Sequence, residues 1–219
     1  LVPRQFFPSS DRPELQVDLT LRQNASIFAS QGVAERVEAL LDGDPDVDHY
    51  STYVGRGAIR FYLPLSVHLA NPFFSQLIVI AKDIEARDRL QARLEKTLAV
   101  DFPEVVARVS PLEMGPPVGW PLQYRVSGPD KEELRRIAED VAKLMAADSR
   151  VRNLNYDWME PARQLRVHID QDEARRLRIS TASIASVLHS AVSGTTITQV
   201  RDDIYLVNVV ARAADGERA

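Results

Sequence analysis

The sequence predicts an α+β protein: tandem ferredoxin-like (βαββαβ) units, the second incomplete, followed by a partial α+β region. Three observations predict it. Strand-like and helix-like hydrophobic periods follow each other as β-α-β-β-α-β between residues 15 and 113. The first βα passage is echoed downstream, because Leu40, Asp44 and Val47 have counterparts in Leu144, Asp148 and Val151, each 104 residues later. The chain has 219 residues, 45% hydrophobic and 26% charged, enough to build a sizeable core.

The elements follow in order. Leu15, Val17, Leu19 and Leu21 alternate with polar residues, which marks a half-buried strand. A helix is expected from about 25 to 41, with Val33, Val37, Leu40 and Leu41 inward and Gly43 as its stop. Residues 47–54 read as a second strand. "GRGAIRFYLPLSVHLANP" is a punctuated connection, and "FSQLIVIA" (74–81) is a central strand. Asp83 can cap a helix running to about 98–99, whose narrow stripe is Ala86, Leu90, Leu94 and Leu98. "FPEVVARVSPLEM" supplies the fourth strand.

"GPPVGWP" breaks the chain. Leu122, Tyr124 and Val126 then alternate as a strand. Asp130 and Glu133 form an Asp-x-x-Glu capping box ahead of an amphipathic helix bearing Leu134, Ile137, Val141 and Leu144. Leu154, Tyr156 and Trp158 alternate, as do Leu165, Val167 and Ile169. "QDEARRLR" is a short charged helix. Ser180 caps another, ended by Gly194, and "TTITQVR" and "IYLVNVVAR" close the chain as strands.

Several function classes fall away. Net charge is −4, from 27 basic and 31 acidic residues well mixed, which does not suit nucleic acid. Without cysteine there is no thiol catalysis, disulfide or Cys-ligated zinc. No apolar run approaches a membrane span. Asp42, Asp44, Asp46 and Asp48 alternate, but Val47 and Tyr53 stand where a calcium loop needs Gly and Glu, so a solvated turn is expected. His49, His68, His168 and His189 lack ligand spacing, and "GRG" at 55–57 lacks a dinucleotide fingerprint. No catalytic constellation and no cofactor site is read. Trp120, Leu122, Tyr124, Tyr156 and Trp158 fall on strands expected to neighbour each other. They form either an adaptable binding wall or the packing beneath the second unit's helix.

The order of parts carries a resemblance. Phe6-Phe7-Pro8, "SSDRPEL", the duplicated unit, "GPPVG", "RVSGPD", "VHIDQDEARRLRIS" and "SGTTITQVR" resemble the first periplasmic loop of resistance-nodulation-division (RND) efflux transporters of the AcrB type. The resemblance implies a membrane-exit segment at 1–13, a first porter subdomain at 14–113, half of a second at 114–162 and the start of a docking domain at 163–219. It implies no enzyme, but part of a proton-driven multidrug or solute efflux transporter in the bacterial inner membrane, on the periplasmic side. It implies a homotrimer, a periplasmic adaptor, an outer-membrane channel and apolar or amphipathic small-molecule substrates. The Ala86, Leu90, Leu94 and Leu98 helix resembles the one lining the trimer's central pore. Thr196, Thr198, Gln199 and Arg201 lie where the family grips a neighbouring subunit. Tyr156 and Trp158 lie on the strand resembling a drug-pocket wall. The competing reading is a stand-alone soluble tandem ferredoxin-like binding or adaptor module, which would show a complete second unit.

Overall fold

A computed structural model describes residues 10–115, 119–158 and 161–217. Phe6, Phe7, Pro8 and part of the "GPPVG" break lie outside the described residues. The chain divides into two compact units, 1–163 and 164–219. The architecture is α+β with antiparallel sheets.

The first unit holds β1 (Glu14–Thr20), α1 (Ile27–Leu41), β2 (Val47–Val54), β3 (Phe74–Ala81), α2 (Ile84–Asp101), β4 (Val106–Pro111) and, after the break, α3 (Lys131–Ala146). The sheet order is β2-β3-β1-β4, with antiparallel neighbours. The central strand β1 pairs on both sides: Val17 stands opposite Leu77 and Val109. Leu15, Val17 and Leu19 are fully buried, as period-two alternation requires. They meet Val33, Val37 and Leu41 of α1 and Leu90, Leu94 and Leu98 of α2 in one core.

Helix starts follow their capping residues. Ser26 accepts from the Ala29 N–H (3.2 Å) and Asp83 from the Ala86 N–H (2.7 Å). Asp130 accepts from the Glu133 N–H (2.9 Å), but the Glu133 carboxylate pairs with Arg136, so only half of the expected box forms.

The sheet's other face is covered by a strap, residues 55–72. The Gly55 N–H donates to the Phe74 carbonyl (2.9 Å) and the Asn71 N–H to the Gly55 carbonyl (2.8 Å), which closes its base. Buried Gln76 ties the strap down: its amide donates to Asp18 (2.6 Å) and its oxygen accepts from the Ala58 N–H (2.7 Å). A Cβ on Gly57 would stand 2.9 Å from the His68 Cβ, so this close approach requires glycine.

The repeat is visible at the helix ends. After α1, the Asp44 N–H donates to Leu41, the Val47 N–H to the Asp44 carbonyl and the Asp46 N–H to the Asp44 carboxylate. After α3, Asp148 to Met145, Val151 to Asp148 and Arg150 to the Asp148 carboxylate reproduce the set 104 residues later. The copies then part. The expected strands over 122–126, 154–158 and 165–169 are absent: these segments carry no ladder. The physical reason is pairing. Alternation suits a residue to a pleated surface, but a strand needs a neighbour for its N–H and C=O groups. None of the three segments has one among the described residues.

The second unit holds α4 (Gln171–Arg176), α5 (Thr181–Val192) and the hairpin β5 (Thr195–Asp202) and β6 (Tyr205–Ala211). Asp170 caps α4 and Ser180 caps α5. Gly194 turns α5 into β5 at φ +93°, a left-handed conformation, and a Cβ there would stand 2.5 Å from Val210 Cγ1.

Candidate functional site

The predicted residues fall in three places. On α2, Ala86, Leu90, Leu94 and Leu98 are all at most 3% exposed and pack into the core. They therefore cannot line a pore. The helix offers solvent its opposite face, with Asp88, Ala92, Lys96 and Ala99 exposed. A narrow apolar stripe is enough to seat a helix on a sheet, so the stripe reports the buried side.

The aromatic group does not close into one wall. Leu122 and Tyr124 lie outside regular secondary structure, 61% and 68% exposed. Trp120 is half-buried beneath the Arg108 guanidinium, 5.9 Å from the ring centroid. Arg108 also donates to the Gly119 carbonyl (2.8 Å), which fixes the chain just after the break to β4. Trp158 lies beneath Arg135 of α3 at 5.8 Å, yet both it and Tyr156 stay about half exposed. Among the described residues, no ring contact joins the Trp120 pair to the Tyr156 pair.

The third place is the β5–β6 hairpin. Thr196, Thr198, Gln199 and Arg201 are exposed, and so is every other residue of both strands. Gln199 donates to Asn208 across the strands (2.7 Å), and a register shift between Thr196 and Thr198 bends the ribbon. Ile197, Val200, Leu206 and Val210 stand in solvent beside them. Neither face of the two-stranded ribbon is covered within the chain, and such a ribbon has little stability of its own.

Sequence reading missed one feature. A cavity of about 400 Å³ opens at the end of the first unit. Thr20, Leu21 and Arg22 line it from the end of β1, Glu95 and Leu98 from α2, and Asn153, Leu154 and Asn155 from the far side. The volume lies in the range of small-molecule sites, about 300–1,000 Å³. The wall at 153–155 runs directly into Tyr156. The lining comes from residues more than 130 positions apart, so no local motif announces it.

Electrostatics are dominated by one network. The expected solvated turn at Asp42–Asp48 is instead tied to α2. Asp46 is buried and accepts from Arg89 (2.5 Å) and Arg93 (2.9 Å), and Arg93 also holds Asp44 (2.6 Å). These arginine hydrogen bonds, Arg89 first, hold the Asp46 carboxyl below the usual carboxylate range. The Tyr50 hydroxyl donates to Asp42 (2.6 Å), which pushes the phenol up to about 12. The described residues include no group of three His, Asp or Glu side chains placed to hold a metal.

The AcrB/AcrD/AcrF family matches residues 1–219, the whole chain. The chain belongs to that family. Its fold agrees with crystal structures of a heavy metal efflux pump in two crystal forms. The TM-scores are 0.68 and 0.66, each at 20% identity, over 100% and 98% of this chain. The chain spans 23% of the length of those pump chains. No described helix is long and apolar enough to cross a membrane.

Proposed function

We propose that this chain forms part of the substrate pathway and of an intersubunit surface in a proton-driven RND efflux transporter. It would sit on the periplasmic side of a bacterial inner membrane. The family match over the whole chain carries the reading. The exposed hairpin bearing Thr196, Thr198, Gln199 and Arg201 supports a gripping role toward a neighbouring subunit of a homotrimer. The 400 Å³ cavity, whose wall at 153–155 is followed in the chain by Tyr156 and Trp158, supports a small-molecule route. Coupling to an adaptor and an outer-membrane channel follows the same family reading. On this reading α2 meets the central pore with its Asp88, Ala92 and Ala99 face.

The pumps of similar fold are described as heavy metal efflux pumps. Here the exposed aromatic and apolar side chains favour an amphipathic organic substrate. The test is accumulation of a fluorescent amphipathic cation in cells carrying the full-length transporter. Tyr156→Ala with Trp158→Ala should raise accumulation at unchanged protein level. If removing the whole transporter leaves accumulation unchanged, the reading fails. Tight dye binding by the isolated chain would then favour a stand-alone binding module.

A further inference from the structure

β4 is an edge strand, and its outer side opens on the cavity. Successive residues of a strand turn their peptide groups to opposite sides. The Leu21 N–H donates to the Phe73 carbonyl (2.9 Å) and the Pro13 carbonyl accepts from the Ala81 N–H (3.0 Å). The odd-numbered residues of β1 therefore face β3, and the even-numbered ones face β4. Opposite Gln16, Asp18 and Thr20 stand Ser110, Arg108 and Val106. Ala107 and Val109, between them, turn N–H and C=O away from the sheet. Pro111 continues the same outer side, where its missing N–H costs no ladder bond. The Val109 carbonyl meets the Gln91 amide at 3.5 Å, and no other hydrogen bond reaches these outward groups among the described residues. Proline, charge or a covering element usually blunts such an edge. Here the proline comes past the outward groups, and no strand pairs with them.

The cavity lies along this edge. Val106, Ala107 and Val109 line it on one side, and residues 153–155 close the far side. Free backbone donors and acceptors beside a ligand-sized space suit a ligand that carries backbone amides of its own. The chain's own wall does not offer them as a strand. Asn153 sits at φ +53°, which breaks an extended run, and Asn155 donates to the Asn153 carbonyl (2.7 Å). That wall also stands across the approach a second copy's sheet would need. Charge marks one end of the site. Glu104 is paired with Arg36 (2.5 Å) and Glu95 accepts from Gln91 (2.9 Å). Arg22 also lines the cavity, is exposed, and has no hydrogen-bond or ion-pair partner among the described residues. A guanidinium left open in this way suits a carboxylate.

We propose that this cavity binds a short extended peptide, which adds to the outer edge of β4 as a further strand and sets its C-terminal carboxylate against Arg22. Its N–H and C=O groups pair with those of Ala107 and Val109, and its apolar side chains lie against Val106 and Leu154. This names a substrate class for the small-molecule route above, and it rests on that reading only for the peptide's being cargo.

The test is fluorescence anisotropy of dansylated leucyl-valyl-leucine with the 219-residue chain. The free acid should bind saturably, and its C-terminal amide about tenfold more weakly, the worth of one charge-assisted pair. Arg22→Gln should bind the two forms alike. N-methylation at one of two successive residues should abolish binding and at the other leave it unchanged, because only alternate N–H groups face β4. Ala107→Pro removes one outward N–H and should weaken binding about fivefold, with circular dichroism checking the fold. The methylated peptides test the ladder even if that variant does not fold. Absence of saturable binding overturns the proposal. Binding that both methylated peptides keep does so too, because it would be apolar contact alone. A dimer in sedimentation that Ala107→Pro dissociates would give the edge to a second copy. Slow exchange at the Ala107 and Val109 amides without peptide would give it to the chain's own 153–155 segment. Either result overturns the proposal. Binding is read without transport, so peptide binding can stand while the dye experiment fails, and the reverse outcome separates the two equally well.

Discussion

At the residue scale, the charged groups of the first unit work as ties between segments. Arg87 is 6% exposed on α2 and donates to the Ser10 carbonyl (2.7 Å) and the Arg12 carbonyl (2.8 Å), while it pairs with Asp88. A guanidinium can do this because its planar fork offers several donors at once. It thereby fastens the segment leading into β1 onto α2. Asp46 makes a second tie, between the turn before β2 and Arg89 and Arg93 of the same helix. Its folded-state carboxyl is held low by those hydrogen bonds. The unfolded chain therefore binds the proton more readily, and stability rises with pH across that window. The contribution is complete above the ordinary carboxylate value, about pH 4, and is lost as pH falls through the lowered folded value. Urea unfolding across acid pH should show Asp46→Asn less stable than the parent at neutral pH. The gap should close below about pH 4. A gap that stays constant with pH would mean the network acts by shape and not by charge.

At the element scale, the same helix shows what periodicity can and cannot say. The Ala86, Leu90, Leu94, Leu98 spacing announces α2 and its buried face, and Asp83 announces its start. It does not announce what the outer face is for. Leu94 has core neighbours on the sheet and no route to solvent. Leu94→Ala should cost about 2–5 kcal/mol, the usual range for a core leucine. Ala92→Ser, on the opposite face, should change stability by less than about 0.5 kcal/mol. Denaturant titration of both variants decides which face is the core. A neutral Leu94→Ala would return the stripe to the pore. Strand reading succeeded by the same logic wherever a partner existed: residues 47–54 and 74–81 form β2 and β3 with the expected bounds. It failed at Leu122, Tyr124 and Val126, where the pattern is equally good. Side-chain alternation is local, but the ladder is made with residues far away in sequence. The cavity was illegible for the same reason, because Arg22 and Asn153 meet only through the fold.

At the scale of the whole molecule, order is unevenly distributed. The continuous core comprises residues of β1, α1, β3, α2 and β4, with Leu21 and Phe102 beside them. Beyond it, α3 contributes one buried residue, Ala142, and α5 none. Both strands of the β5–β6 hairpin are exposed along their full length. A two-stranded ribbon of this kind has little stability of its own. Opening free energies should follow that distribution, because amides exchange through local opening where few apolar contacts resist it. Amide hydrogen exchange of the chain should therefore find its slowest sites in β1 and β3, the two strands paired on both sides. Residues 122–126, 154–158 and 165–169 should exchange fast, since no ladder bonds hold their N–H groups among the described residues. The hairpin should be intermediate: its cross-strand bonds are made, but nothing covers them. Slow exchange across 122–126 would mean that the second unit closes its sheet after all, and the aromatic residues there would then belong to a packed wall. Fast exchange, with α3 protected only where Ala142 is buried, would show that the duplicated half keeps its helix and turn but not its sheet.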